Sequence, residues 1–133
     1  MENITITDVD LGSVILEDAQ FSNEPLTFAG VATVLEGTIL ARNSSTLKLI
    51  PFVKGGSSNG NGIPKAVLTY PVTSTGAGDV PVRAMVSGSV RLGRLIIDAD
   101  ADNSNVDAAV LDQLRDYSLI SVDVQELNTL DNR

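Results

Sequence analysis

The chain predicts a mainly β fold with one short helix near its C-terminal end, on three observations. Between Gly37 and Leu95, short apolar runs alternate with turn residues at hairpin distances. Aromatic residues make up 4% of the chain against an apolar fraction of 43%, so the core must be built from Val, Leu, Ile and Ala. Beyond residue 104 the apolar spacing changes to that of a helix. At 133 residues the chain is long enough to bury a core of its own as one domain.

From the N-terminus, Ile4, Ile6, Val9, Leu11, Val14 and Leu16 alternate loosely and are interrupted at Gly12-Ser13, which predicts extended, β-prone segments. Two readings stay open for this acidic stretch: an arm that adds a strand to another chain's sheet edge, or the first strand of its own sheet. Glu17 to Pro25 is polar, ends in proline and reads as a connector. Leu26 to Leu35 reads as a strand with Gly30 as a bulge candidate. Gly37 to Arg42, the turn Asn43-Ser44-Ser45 and the return Thr46 to Phe52 predict a hairpin, with Pro51 placing the return at an edge or an exit.

Lys54 to Gly62, with four glycines and two Asn-Gly pairs, must be a loop. Pro64 to Val72 is the next strand and Thr73 to Asp79 the next turn. Val80 to Val86 and Ser89 to Ile97 read as strands separated at Ser87-Gly88 by a tight turn or a bulge. Ser104 or Asn105 can cap a helix over about residues 105–117, where Val106, Val110, Leu111, Leu114 and Tyr117 recur at helical spacing. A last strand is expected from Leu119 to Val124. The division is therefore an extended arm and connector over 1–25 and a β-rich domain over 26–133, with a sheet that is largely antiparallel or mixed.

The chemistry is sparse. The chain has no His and no Cys, which removes the commonest general base, the commonest zinc ligand, thiolate metal sites and disulfides. No enzyme, metal or cofactor is expected. The N-terminus has neither a basic segment nor an apolar core of the secretory kind, and no window approaches the length of a membrane span. The net charge of −8 is uneven: residues 1–24 carry six acids and no base, residues 25–97 two acids and seven bases, and residues 98–133 nine acids and two bases. The overall negative charge argues against a nucleic-acid partner. The acidic ends are expected to fold over or beside a basic β body.

Asp98, Asp100 and Asp102 alternate as at the start of a calcium loop. The loop fails where it needs a turn glycine, which is Asn103, and a bidentate acid, which is Ala109. The stretch reads as a solvated acidic connector into the helix. The glycine-rich Lys54 to Gly62 lacks the order of a phosphate loop and opens no helix. Few aromatics are present to stack on sugars, and Tyr70 and Tyr117 read as core or interface residues with a wet hydroxyl.

GTILARNSSTLKLIPF, GNGIPKAVLTYPVTSTGAGDVPVRAMVSGSVR and the helix–strand ending from Asn105 to Val124 follow one another in an order and spacing that resembles the head decoration (capsid-stabilising) proteins of tailed bacteriophages, the lambda-type decoration protein family. The resemblance spans residues 26–124. It implies a small β-tulip-like or barrel-like body with an extended N-terminal arm. It further implies a structural virion protein, made in the host cytoplasm and sited on the outer capsid surface. There such a protein forms a homotrimer at three-fold and quasi-three-fold positions, clamps the major capsid protein and stabilises the expanded head. By position, Ile4, Ile6, Val9, Leu11, Val14 and Leu16 would belong to the capsid-binding arm, which is acidic and β-prone here where better-known members can be rich in Pro, Ser and Thr. The alternative is a small β-rich binding module, calcium-dependent or carbohydrate-binding.

Overall fold

Eight strands and one helix account for the ordered framework of the computed structural model, which describes residues 13–122. The strands are β1 (Ile15–Phe28), β2 (Ala32–Val34), β3 (Ile39–Arg42), β4 (Leu49–Pro51), β5 (Pro64–Leu68), β6 (Val72–Ser74), β7 (Gly78–Arg91) and β8 (Leu119–Val122); the helix is α1 (Ala108–Asp116). Neighbours run β1-β4-β3-β5-β7, and β1 pairs again with β7, so these five strands close into a barrel. The closing seam is the long antiparallel pair from Phe28↔Gly78 to Ile15↔Val90. Closure removes the free edges that an open sheet of this size would expose. Two pairings are parallel, β1 with β4 at Leu26↔Leu49 and β7 with β8 from Gly88↔Leu119 to Arg91↔Val122. The small β2–β6 ladder forms a separate two-stranded sheet.

The expected mainly β class with one late helix is what the fold shows, and several boundaries differ for identifiable reasons. Residues 17–25 are strand rather than connector: their polar side chains leave one face to water, while β7 supplies partners along the whole stretch. Leu26 to Leu35 is the end of β1, a bend and β2, and Pro64 to Val72 is likewise split between β5 and β6. Ser87-Gly88 is no turn. It lies within β7, opposite register shifts in β1 between Glu17 and Phe21. Gly88 has φ of +118°, and a Cβ there would come within 2.7 Å of the Asp18 carbonyl oxygen, so the bulge requires glycine. The helix is capped by Asp107, whose carboxylate accepts the Val110 N–H at 3.2 Å. Ser104 is already taken up in a turn closed by Asp102.

Period-two alternation sorts the interior into two cores. Leu26, Leu40, Leu49, Leu68 and Val82 represent a cluster to which all five barrel strands contribute, so it fills the barrel. Ile39, Val67 and Met85, on the opposite face of β3, β5 and β7, meet Val14, Phe52, Leu95, Leu119 and the buried stripe of α1, Val110 and Leu114. The sheet is thus packed on both faces where α1 and β8 cover it.

Charge follows the same joining of parts. Glu24, from the acidic first segment, takes two hydrogen bonds from the Arg42 guanidinium, and Lys54 reaches Asp107 of the acidic third segment at 2.6 Å. The Arg42 hydrogen bond outweighs burial and holds the Glu24 carboxyl below its ordinary value. The stabilisation it brings is complete above the unfolded-state value and is lost as pH falls through the lower folded-state value. We expect Glu24→Gln to cost about 1 kcal/mol in urea melts at pH 7, a cost that disappears at low pH once the parent carboxyl is protonated.

Candidate functional site: the root of the N-terminal segment and the cleft beside it

Of the six residues assigned to an arm from sequence, Ile4, Ile6, Val9 and Leu11 lie outside the described residues. Val14 is fully buried in the core that faces α1, and Leu16 is half-buried on β1. Val14 therefore does not offer its side chain to a partner. It anchors the segment that precedes it. Three contacts fix this root. The Val14 N–H donates to Glu36 Oε2 at 3.1 Å, the Val14 carbonyl accepts the Arg91 N–H at 2.8 Å, and the Ser13 carbonyl accepts from Arg91 Nε at 2.8 Å. Arg91 is 6% exposed, one of few charged groups so deeply placed.

Glu36, Gly37 and Arg91 are the residues that sequence reasoning missed. Glu36 is a lone acid in an apolar stretch, a signal that its carboxylate has a specific partner. Gly37 has φ of +90° and lies so close to Arg94 that a Cβ would stand 1.9 Å from the Arg94 carbonyl oxygen. Its own N–H donates to Leu68 and its carbonyl accepts from Ile96, both in the 2.8–2.9 Å range. This glycine therefore locks the approach to β3 against the strand-like segment that follows a 3₁₀ turn at Leu92–Arg94.

Beside this root is a cleft of about 450 Å³, lined by Leu35, Glu36, Pro71, Leu95, Ile96 and residues of the 93–94 and 101–103 segments. Its walls are mostly apolar, and Leu35 remains 41% exposed at its edge. The cations of the middle segment are distributed among separate partners. Arg42, Lys48 and Lys54 form ion pairs, while Lys65 lies over the Tyr117 ring and Arg83 over the Phe21 ring. On the second acidic stretch, burial pushes the Asp98 carboxyl up. The Ser104 hydroxyl and N–H hold Asp102 low, and Asp100 accepts from the Asn105 amide. Among the described residues no group of three or more ligating side chains is arranged to hold a metal ion. No described helix is long and apolar enough to cross a membrane.

The other surface feature is apolar. Ile120 and Val122 project from the same side of β8 and are exposed, and among the described residues β8 is paired only along its β7 edge. The geometry offers surfaces and an anchored segment rather than a constellation of reacting groups. A family model described as bacteriophage lambda head decoration protein D matches residues 6–119. No curated protein matches the chain.

Proposed function

Because the chain belongs to the bacteriophage lambda head decoration protein D family, a family of structural proteins associated with the phage capsid, we propose that it clamps the outer surface of an expanded head as a homotrimer. It sits at three-fold and quasi-three-fold positions and binds the major capsid protein through the segment that runs up to Val14. Ile4, Ile6, Val9 and Leu11 provide the apolar contacts, Leu16 borders them, and Val14 holds their root to the body. The protein acts without catalysis or cofactor and has neither nucleic acid nor membrane as a partner. It is made in the host cytoplasm and ends on the virion surface.

The observation that carries this reading is the family match over residues 6–119. The physical chemistry fits it: three linked segments acting together turn weak individual contacts into firm attachment through effective concentration. The exposed Ile120 and Val122 supply apolar surface for subunit contact. Light scattering should give three times the chain mass, and the protein should co-sediment with expanded heads and not with unexpanded ones. A monomer that leaves expanded heads bare would overturn the reading.

A further inference from the structure

We propose that Asn59 is a site of spontaneous covalent modification. Its side-chain amide closes onto the Gly60 nitrogen as a cyclic imide, which water opens to aspartate or isoaspartate. The site goes beyond the decoration reading and does not depend on it.

The loop from Lys54 to Gly62 holds both Asn-Gly pairs of the chain, Asn59-Gly60 and Asn61-Gly62. Glycine favours ring closure, because with no Cβ on the following residue its nitrogen approaches the asparagine side chain unhindered. The fold then separates the two pairs. Asn61 is held through both backbone and side chain. Its N–H donates to the Ser58 carbonyl at 3.0 Å, its carbonyl accepts the Val53 N–H at 2.8 Å, and its Oδ1 accepts the Ser58 N–H at 3.2 Å. That Oδ1 also lies 2.2 Å from where a Cβ on Gly56 would stand, so the side chain is wedged against the loop's own backbone. It must leave this setting to reach the Gly62 nitrogen.

Asn59 is exposed and has φ of +54°, a region that asparagine tolerates better than most residues. Its carbonyl accepts the Ser44 N–H at 2.9 Å. Among the described residues, neither its side-chain amide nor the Gly60 N–H makes a hydrogen bond. Both reacting groups are therefore at liberty to meet.

The chemistry needs only water. The Gly60 nitrogen gives up its proton to solvent base and bonds to the Asn59 side-chain carbonyl carbon. The bond from that carbon to the amide nitrogen breaks, and ammonia leaves. Water then adds to one of the two imide carbonyls, and the ring opens with a new carboxylate. Opening on the backbone side gives isoaspartate, whose main chain runs through the former side chain and is longer by a methylene. The added length falls between two moorings, Ser44 on the Asn59 carbonyl and Val53 on the Asn61 carbonyl, so these bonds cannot both keep their geometry. Either product also adds a negative charge to the basic middle of the chain.

The test is peptide mapping of the full chain after storage in mildly alkaline buffer below its melting temperature, with a parallel sample unfolded in guanidinium chloride. Isoelectric focusing should show a form with an added negative charge, and fragmentation should place the change at Asn59. In the unfolded chain both asparagines should react alike. In the folded chain Asn59 should react at least about fivefold faster than Asn61, the scale of one hydrogen bond that Asn61 must first break. Asn59→Gly suits the positive φ and carries no amide, so it should keep the melting temperature and lose most of the charged form. Equal rates at the two asparagines in the folded chain, or an intact Asn59 there while the unfolded chain reacts, would overturn the proposal. Faster amide exchange at Ser44 or Val53 in the isoaspartate fraction supports loosening of the loop, and unchanged exchange at both overturns that consequence.

Discussion

Gly37→Ala is expected to remove a large part of the stability of the body. The residue has φ of +90°, and its new Cβ would be placed 1.9 Å from the Arg94 carbonyl oxygen, a backbone atom with no rotamer to change. The unfavourable backbone region costs about 1–2 kcal/mol and the forced shift of packed backbone about 1–3 more. Two hydrogen bonds through Gly37, to Leu68 and from Ile96, are strained by the same movement. A total of about 3–5 kcal/mol is a large part of what a domain of this size has, so thermal melting should fall by about 10–20 °C. Gly30→Ala is the comparison: nothing lies within 4 Å of its Cβ, and it should change stability by no more than about 0.5 kcal/mol. Equal melting of the two variants would show that the Gly37 contact does not constrain the fold.

A pair of truncations should separate docking from folding. Removing residues 1–12 leaves Val14, its two backbone hydrogen bonds and the Ser13 acceptor of Arg91 in place. That protein should melt cooperatively and bind expanded heads at least about a hundredfold more weakly, because each subunit loses its tethered contact. Removing residues 1–16 deletes a fully buried valine and leaves the Arg91 side chain without its Ser13 acceptor. The lost burial is worth about 1.5–3 kcal/mol and the hydrogen bonds that Glu36 and Arg91 make to Ser13 and Val14 about 1–3 more. The longer truncation should therefore fail in folding before it can be read for docking. If the 1–12 truncation binds heads at full strength, the segment is not the docking element.

Local chemistry is what the sequence made legible. The β3–β4 hairpin was readable because Asn43 closes its turn through its side chain, accepting from Ser45 and Thr46. The helix was readable from Val110 and Leu114, which are its buried stripe, though the capping residue was displaced to Asp107 by a competing turn. Residues 17–25 were not readable as strand, since nothing local in EDAQFSNEP favours it; their conformation comes from β7, some sixty residues later in the chain. Barrel closure is hidden for the same reason, as a property of pairings rather than of segments. Ile4, Ile6, Val9 and Leu11, which lie outside the described residues, are legible in the sequence only as β-prone apolar alternation. The burial of Val14 was not legible, because the Glu36 and Arg91 groups that fix its backbone lie far along the chain.

Arg91 has a further consequence at the pole of the barrel. One side of this residue meets Val14 and the other meets Val122, so the points where the body connects to residues 1–12 and 123–133 are separated by the width of a single strand on each side, about 10 Å in all. Both flanking segments therefore issue from one root. A domain joined directly at Ser13 or at Val122 would be attached at neighbouring points of the body.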